Sequence, residues 1–331
     1  MLTLHDGSRN YKNITPVLTG SSLPIRVKWV DILDGTSEEI AFIERAIGHH
    51  VPSLEELKEI ETSSRLRFDR DAFCLSATVV SHIPSGMPKP TPIGFILARD
   101  LLVTVRFDLL TSFASFEEEF ASPSRGFSGG LGAFVGLIDA IVDRSADVLE
   151  SVGSELDLLS QNVFHGKGNS FWTSRRPARQ TAGLREILRR IGYNGDLSSK
   201  IRNSLLSIGR AVAYVSGTRP EWFSTDLRSH LDLQHRDITS LSDYDVFLSN
   251  KVQLLLSATM GMINIEQNNI IKALTVVSVV GVPPTLVASM YGMNFKFMPE
   301  LGWTLGYPFA LVLILLSAVG PYIWFKVRGW L

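Results

Sequence analysis

Two stretches near the C-terminus are apolar almost throughout. IIKALTVVSVVGVPPTLVASMY fills residues 270–291 with Lys272 as its only charge, and PFALVLILLSAVGPYIWF fills residues 308–325 with none. A bilayer core of about 30 Å takes roughly 20 apolar residues in a helix, about 17 at the least, and both stretches reach that range. Each therefore predicts a membrane span. A buried core helix is the alternative for either run alone, and two such runs separated by one short polar connector argue against it. Pro283, Pro284 and Pro321 are compatible with spanning, because neighbouring helices can satisfy the carbonyls they free. Two spans put both chain ends on one side, and Lys326 and Arg328 after the second assign that side to the cytoplasm. The pattern gives a first transmembrane helix at 270–291, an extracytoplasmic loop at 292–307, a second helix at 308–325 and a basic cytoplasmic tail at 326–331.

Upstream the period changes. IRVKWVDIL, DAFCLSATVVSHI and GFILARDLLVTVRF are rich in β-branched and aromatic residues, and Arg99-Asp100 breaks the last as a hairpin turn does. The helical patches SEEIAFIERAIG and SLEELKEIE lie between them. Residues 1–128 thus predict an α/β domain, and residues 129–269 a helical region ending in a stalk. From Thr225 no glycine or proline occurs until Gly261, and Ile238, Leu241, Leu248, Val252, Leu255 and Met262 recur at three- and four-residue steps or their sums, as a packed helix requires. Such a helix would run on into the first span; several helices broken at Gly261 are the other reading.

Composition narrows the class. With 331 residues, a net charge of −1 and a mean hydropathy of +0.15, the chain is too polar to lie wholly in a membrane and too apolar for an ordinary soluble protein. The near-zero charge gives no reason to expect nucleic acid. Cys74 is the single cysteine, so it cannot close an internal disulfide, and its apolar surroundings predict a buried thiol in a reducing compartment. The N-terminus lacks the basic start and apolar run of a signal peptide, which keeps the large polar part in the cytoplasm. Asn13-Ile14-Thr15 is then a chance sequon. GFSGGLGAFVG has neither dinucleotide-fingerprint spacing nor a Gly-Lys-Ser/Thr, so it reads as a linker opening a helix, and no nucleotide is expected as partner.

The stretch GMINIEQNNIIKALTVVSVVGVPPTLVASMYGMNFKFMPELGWTLGYP and the closing PYIWFKVRGWL resemble the C-terminal region of the CorA family of magnesium and cobalt transporters. The family's Tyr-Gly-Met-Asn-Phe stands at residues 291–295 and its Met-Pro-Glu-Leu at 298–301. The resemblance covers roughly the last seventy residues closely, and the order of α/β domain, helices, stalk and two spans fits along the whole chain. It implies an α+β membrane protein of the inner membrane, a funnel-shaped homopentamer in lipid, with the first span and stalk lining a central pore and a cytoplasmic funnel that senses divalent cations. Mg²⁺ is then both transported and regulatory, with Co²⁺ as an alternative cargo and Ni²⁺ a further one. A zinc-transporting member of the same superfamily is the competing reading, and a non-conducting membrane scaffold is a third. Against zinc, the seven histidines have no zinc-ligand spacing.

The chemistry of the connector agrees. Mg²⁺ gives up water reluctantly, so a mouth that selects it without trapping it should touch the hydrated ion. A ring of Asn294 amides offers neutral acceptors to that water shell, with Gly292 and Met293 completing the mouth and Tyr291 bracing it. A helix C-cap is the alternative role for Asn294. Counting back from Ser289, the residues Thr285, Val282, Ser278 and Leu274 follow at three- or four-residue steps, with Asn268 beyond; Leu274 and Val282 are candidate apolar constrictions, or ordinary helix-packing residues. Ser278 and Ser289 fit a close helix contact equally well. The resemblance implies pore positions for Asn268, Leu274, Thr285, Tyr291 and Asn294. The family pattern commonly carries an acid after Gly-Met-Asn-Phe; here Lys296 stands there, while Glu300 is kept. Asp232, Asp237, Asp243 and Asp245 along the stalk are candidates for the cytoplasmic sensor, or solvated helix charges.

Overall fold

The computed structural model describes the chain except residues 7–9, 13–22, 24–25, 60, 62–64, 70, 84–86, 123–128, 165–176, 219, 221, 224, 295–297 and 330–331, and describes the backbone alone at 10–12, 177–181, 300 and 301. Cα positions group Met1–Gly168 with Ile187–Leu255 as one compact unit and Asn169–Glu186 with Leu256–Leu331 as another.

The first unit is built on a seven-stranded sheet: β1 (Leu2–His5), β2 (Asn10–Lys12), β3 (Trp29–Leu33), β4 (Leu66–Asp69), β5 (Ala72–Ser81), β6 (Lys89–Leu97) and β7 (Leu102–Arg106), in the order β2-β1-β3-β7-β6-β5-β4. Among the described strand pairs only β3 and β7 run parallel, in the register Trp29↔Leu102 and Asp31↔Thr104. Alternation along these strands divides two cores. Val30, Ile32, Val103 and Val105 pack with Phe42 and Ile43 of helix α1 (Ser37–Ile47), while Trp29 and Leu102 face helices on the other side. Polar residues on that second face satisfy one another. Arg106 donates from Nε and Nη2 to the Asp31 carboxylate, Thr104 donates to Asp31 Oδ1 at 2.7 Å, and the Trp29 indole donates to Thr104 Oγ1 at 3.0 Å. A buried ion pair this fully bonded is tolerable, because each lost water contact is replaced.

The hairpin at Arg99-Asp100 forms between β6 and β7 as expected, closed by Ala98 N–H donating to Leu101 O at 2.9 Å. The patches around 37–48 and 53–60 give α1 and α2 (Leu54–Leu57), each opened by a capping box, Thr36 with Glu39 and Ser53 with Glu56. Burial raises the thiol pKa of half-buried Cys74. Strands β1, β2 and β4 and helix α3 (Thr111–Phe120) were not foreseen. The strands have at most four residues each, too few for alternation to register, and β1 is held by pairing with β3 and by His5 stacked on Trp29 at 4.0 Å. In α3 the signal was present in Phe113, Phe116 and Phe120, all buried at helical spacing.

Helix α4 (Gly129–Phe164) starts in the glycine-rich stretch, and packing explains the glycines. A Cβ on Gly130 would stand 2.4 Å from the Leu101 carbonyl carbon, and Gly129 has φ +63°. The segment is a helix start pressed onto the β6–β7 turn. Helix α5 (Pro177–Thr218) and helix α6 (Thr225–Tyr291) complete this part of the core: Leu149, Val152 and Leu156 meet Ile201, Leu205 and Ile208 together with Leu231, Ile238, Leu248 and Leu255. Of the stalk positions expected to pack, Ile238, Leu248 and Leu255 do so fully and Leu241 and Val252 in part, while Met262 is half-buried and joins neither core. Helix α6 is unbroken through Gly261, 67 residues and so about 100 Å at 1.5 Å per residue.

The second unit holds the rest of α6, a 3-10 turn at Pro299–Gly302 and helix α7 (Gly306–Val327). The second apolar run thus forms a helix slightly longer than 308–325. Both α6 and α7 contain windows long and apolar enough to cross a membrane, and those windows are almost wholly exposed in the single chain.

Candidate ion pathway

At 100° per residue, Leu274, Ser278, Val282, Thr285 and Ser289 share an arc of about 80° on α6, and Asn268 lies about 40° beyond it. All six are exposed in the single chain, Leu274 at 67% and Val282 at 61%. The same arc takes in Asn264, Gln267 and Ile271, and Thr275 lies about 20° beyond its edge; the reading of the sequence passed over these four although the same three- and four-residue steps reach them. From Asn264 to Gly292 the stripe holds amides, hydroxyls and apolar groups. Lys272 projects about 120° from its centre. A stripe of neutral oxygens free of carboxylates is suited to a hydrated cation, since it can accept from the ion's water shell and then release it.

The hydroxyls are oriented by the helix itself. Thr285 Oγ1 donates to Gly281 O and Thr275 Oγ1 to Ile271 O, each at 2.8 Å. With the proton committed inward, the outward side of each oxygen is acceptor only. Pro283 and Pro284 supply no N–H, so the carbonyls of Val279 and Val280 lose their helical donors.

The helix ends at the motif. Gly292 N–H donates to Ala288 O at 3.0 Å and Ser289 O at 3.2 Å, and Met293 N–H to Met290 O at 3.3 Å. Among the described residues the non-glycines with positive φ are Asp34, Asp71 and His82, so Asn294 does not take the left-handed conformation of a capping asparagine. Gly292 is likewise absent from the positive-φ glycines. Gly292, Met293 and Asn294 are exposed and Tyr291 is half-buried. Phe295 and Lys296 lie outside the described residues. Glu300 falls in the 3-10 turn, and its side chain is outside them too.

The four stalk aspartates part company. Asp237 and Asp243 are exposed, as is Asp232, which accepts from Ser216 Oγ at 3.1 Å. Asp245 is fully buried between α6 and α5: Ser198 donates to its Oδ1, Arg202 Nε stands 3.9 Å from Oδ2, and Oδ2 has no hydrogen-bond partner. Burial raises its pKa, against the lowering pull of Ser198 and Arg202. Among the described residues no group of three or more His, Cys, Asp or Glu is placed to hold a metal within one chain.

An α/β unit carrying a long helix that continues into an apolar segment, followed by a second apolar helix, is compatible with a two-span membrane protein that has a large polar N-terminal part. The chain belongs to the CorA-like Mg²⁺ transporter family, whose pattern matches residues 26–326. It is 33% identical over 303 residues to the magnesium transport protein CorA of Haemophilus influenzae, covering 92% of each chain. Its fold resembles the complete CorA magnesium transporter of Methanocaldococcus jannaschii, with a TM-score of 0.73 at 17% identity over 100% of this chain and 99% of that one. It also resembles the cytoplasmic domain of ZntB from Vibrio parahaemolyticus, with a TM-score of 0.58 at 12% identity over 80% of this chain and 98% of that one.

Proposed function

We propose that this protein carries Mg²⁺ passively into the cytoplasm as a homopentamer in the inner membrane, with residues 1–269 and both termini cytoplasmic. The observation that carries this reading is the charge-free stripe of α6, exposed in one chain and ending in Gly292-Met293-Asn294. Five copies around an axis turn the stripe into a pathway with Asn294 at its mouth, Thr285, Ser278 and Asn268 as hydrogen-bonding levels, and Leu274 and Val282 as constrictions that close by dewetting. The relative from H. influenzae, named for magnesium transport, supports the choice of ion. Co²⁺ and Ni²⁺, with similar hydrated shells, are alternative cargo. The membrane potential supplies the drive, about 2.3 kcal/mol per charge per 100 mV and so about twice that for a divalent ion. Cytoplasmic Mg²⁺ held between subunits by Asp232, Asp237 and Asp243 keeps the pathway shut. Asp245 faces its own subunit's α5 and fits that role less well.

Uptake by the purified protein in liposomes, compared for Mg²⁺, Co²⁺, Ni²⁺ and Zn²⁺, tests the reading. Saturable Mg²⁺ entry supports it. Zn²⁺ entry without Mg²⁺ entry favours the zinc reading, which rests on a fold shared with the ZntB domain.

A further inference from the structure

A cavity of about 740 Å³ lies between α4 and α5 in the first unit, within the roughly 300–1,000 Å³ of small-molecule sites. Its floor is apolar, formed by the buried side chains of Val148, Val152 and Leu197. Its walls are not. Arg144 and Asp147 project from α4, and Tyr193 and Arg189, which has a partner of its own, from α5; Arg190 pairs with Glu155. Arg144 and Asp147 stand one turn apart on α4 yet do not pair with each other, and neither has a hydrogen-bond or charge partner among the described residues. Two opposite charges without partners among the described residues, over an apolar floor, call for a ligand that has an anion, a hydroxyl donor and a flat apolar part.

We propose that this cavity binds a nucleoside phosphate. Arg144 and Arg189 line the cavity from two helices, and guanidinium groups suit the oxygens of a phosphate. The Asp147 carboxylate accepts from ribose hydroxyls, and the partly exposed Tyr193 ring with the apolar floor takes the base. Side chains on two helices make this site, which is why no phosphate-binding loop announces it in the sequence. The inference is independent of the transported ion, because every group in it lies in the first unit.

The test is calorimetric titration of the full-length protein in lipid nanodiscs with AMP, which chelates Mg²⁺ only weakly, and with inorganic phosphate as comparison. The expected result is saturable AMP binding with a Kd below about 1 mM, with phosphate at least about tenfold weaker. Arg144→Gln should weaken AMP binding about tenfold or more, and Tyr193→Ala should weaken AMP but not phosphate. Asp147→Asn, at an exposed position without a partner among the described residues, should leave the fold intact; it should weaken AMP several-fold and leave 2′,3′-dideoxy-AMP unchanged. Arg185→Gln, exposed on α5 outside the cavity, should bind as wild type. The assignment is overturned by absence of saturable AMP binding up to millimolar concentration, by AMP affinity unchanged in both Arg144→Gln and Asp147→Asn, or by phosphate binding as tightly as AMP.

Discussion

Asn294 concentrates the question of function in one amide. Its backbone is not left-handed, so the capping role open to an asparagine after a helix is not the one it plays. Asn294→Ala should give a folded oligomer with Mg²⁺ uptake lost, because the proposed mouth would then lack its ring of neutral oxygens; normal flux through purified mutant in liposomes would remove Asn294 from the pathway. Asn294→Asp should also lower flux, by holding the ion too tightly. Lys296 carries a prediction with a sign. In the proposed pentamer, a cation within a Debye length of the mouth, about 8 Å at physiological ionic strength, would deplete divalent ions there, with five copies acting together. Lys296→Glu should therefore raise initial uptake at limiting Mg²⁺, with a gain that shrinks as salt is added. Uptake equal to or below wild type at low Mg²⁺ would mean that Glu300 of a neighbour neutralises the lysine or that it faces away.

The elements owe their placement to backbone fit and to buried groups. Gly130 is where α4 meets the β6–β7 turn, and its added methyl group would meet two backbone carbonyls, those of Leu101 and Ala98. Gly130→Ala should destabilise the first unit by about 1–3 kcal/mol, measured as a lowered thermal midpoint. Asp245 makes the pairing of α5 with α6 sensitive to pH. Its pKa is raised in the folded chain, so the folded state binds more protons than the unfolded one, and its contribution to stability falls as pH rises from about 4, the unfolded value, towards the raised value. Relative to wild type, Asp245→Asn should gain stability across that window and hold a constant difference above it. Parallel denaturation curves at all pH values would show that Asp245 does not titrate differently on folding. The stalk, α4 and α5 were legible because packed helices repeat a three- and four-residue step that one chain displays; α3 displays it too, but over only ten residues directly after the strand-rich stretch.

For the molecule as a whole, transport driven by potential predicts that collapsing the potential across liposomes with valinomycin and balanced K⁺ slows initial Mg²⁺ uptake at fixed concentration gradient. Uptake insensitive to that treatment would require a coupled mechanism. The sequence by itself determined the two apolar helices, the unbroken reach of the pattern from Thr225, the hairpin at Arg99-Asp100 and the stripe ending in Gly-Met-Asn. Each depends on the nature and order of neighbouring residues, which hydrophobic period and span length record directly. Only the tertiary structure decided which groups meet across distance in the chain. Arg106 closes on Asp31, Gly130 rests on the turn before β7, Asp245 turns inward to Ser198 while Asp237 and Asp243 stay outside, and Arg144 comes to share a cavity with Arg189. Such pairings carry no local signal: an aspartate on a helix reads the same whether its neighbour is water or a packed helix, and it is the packing that fixes its charge and its use.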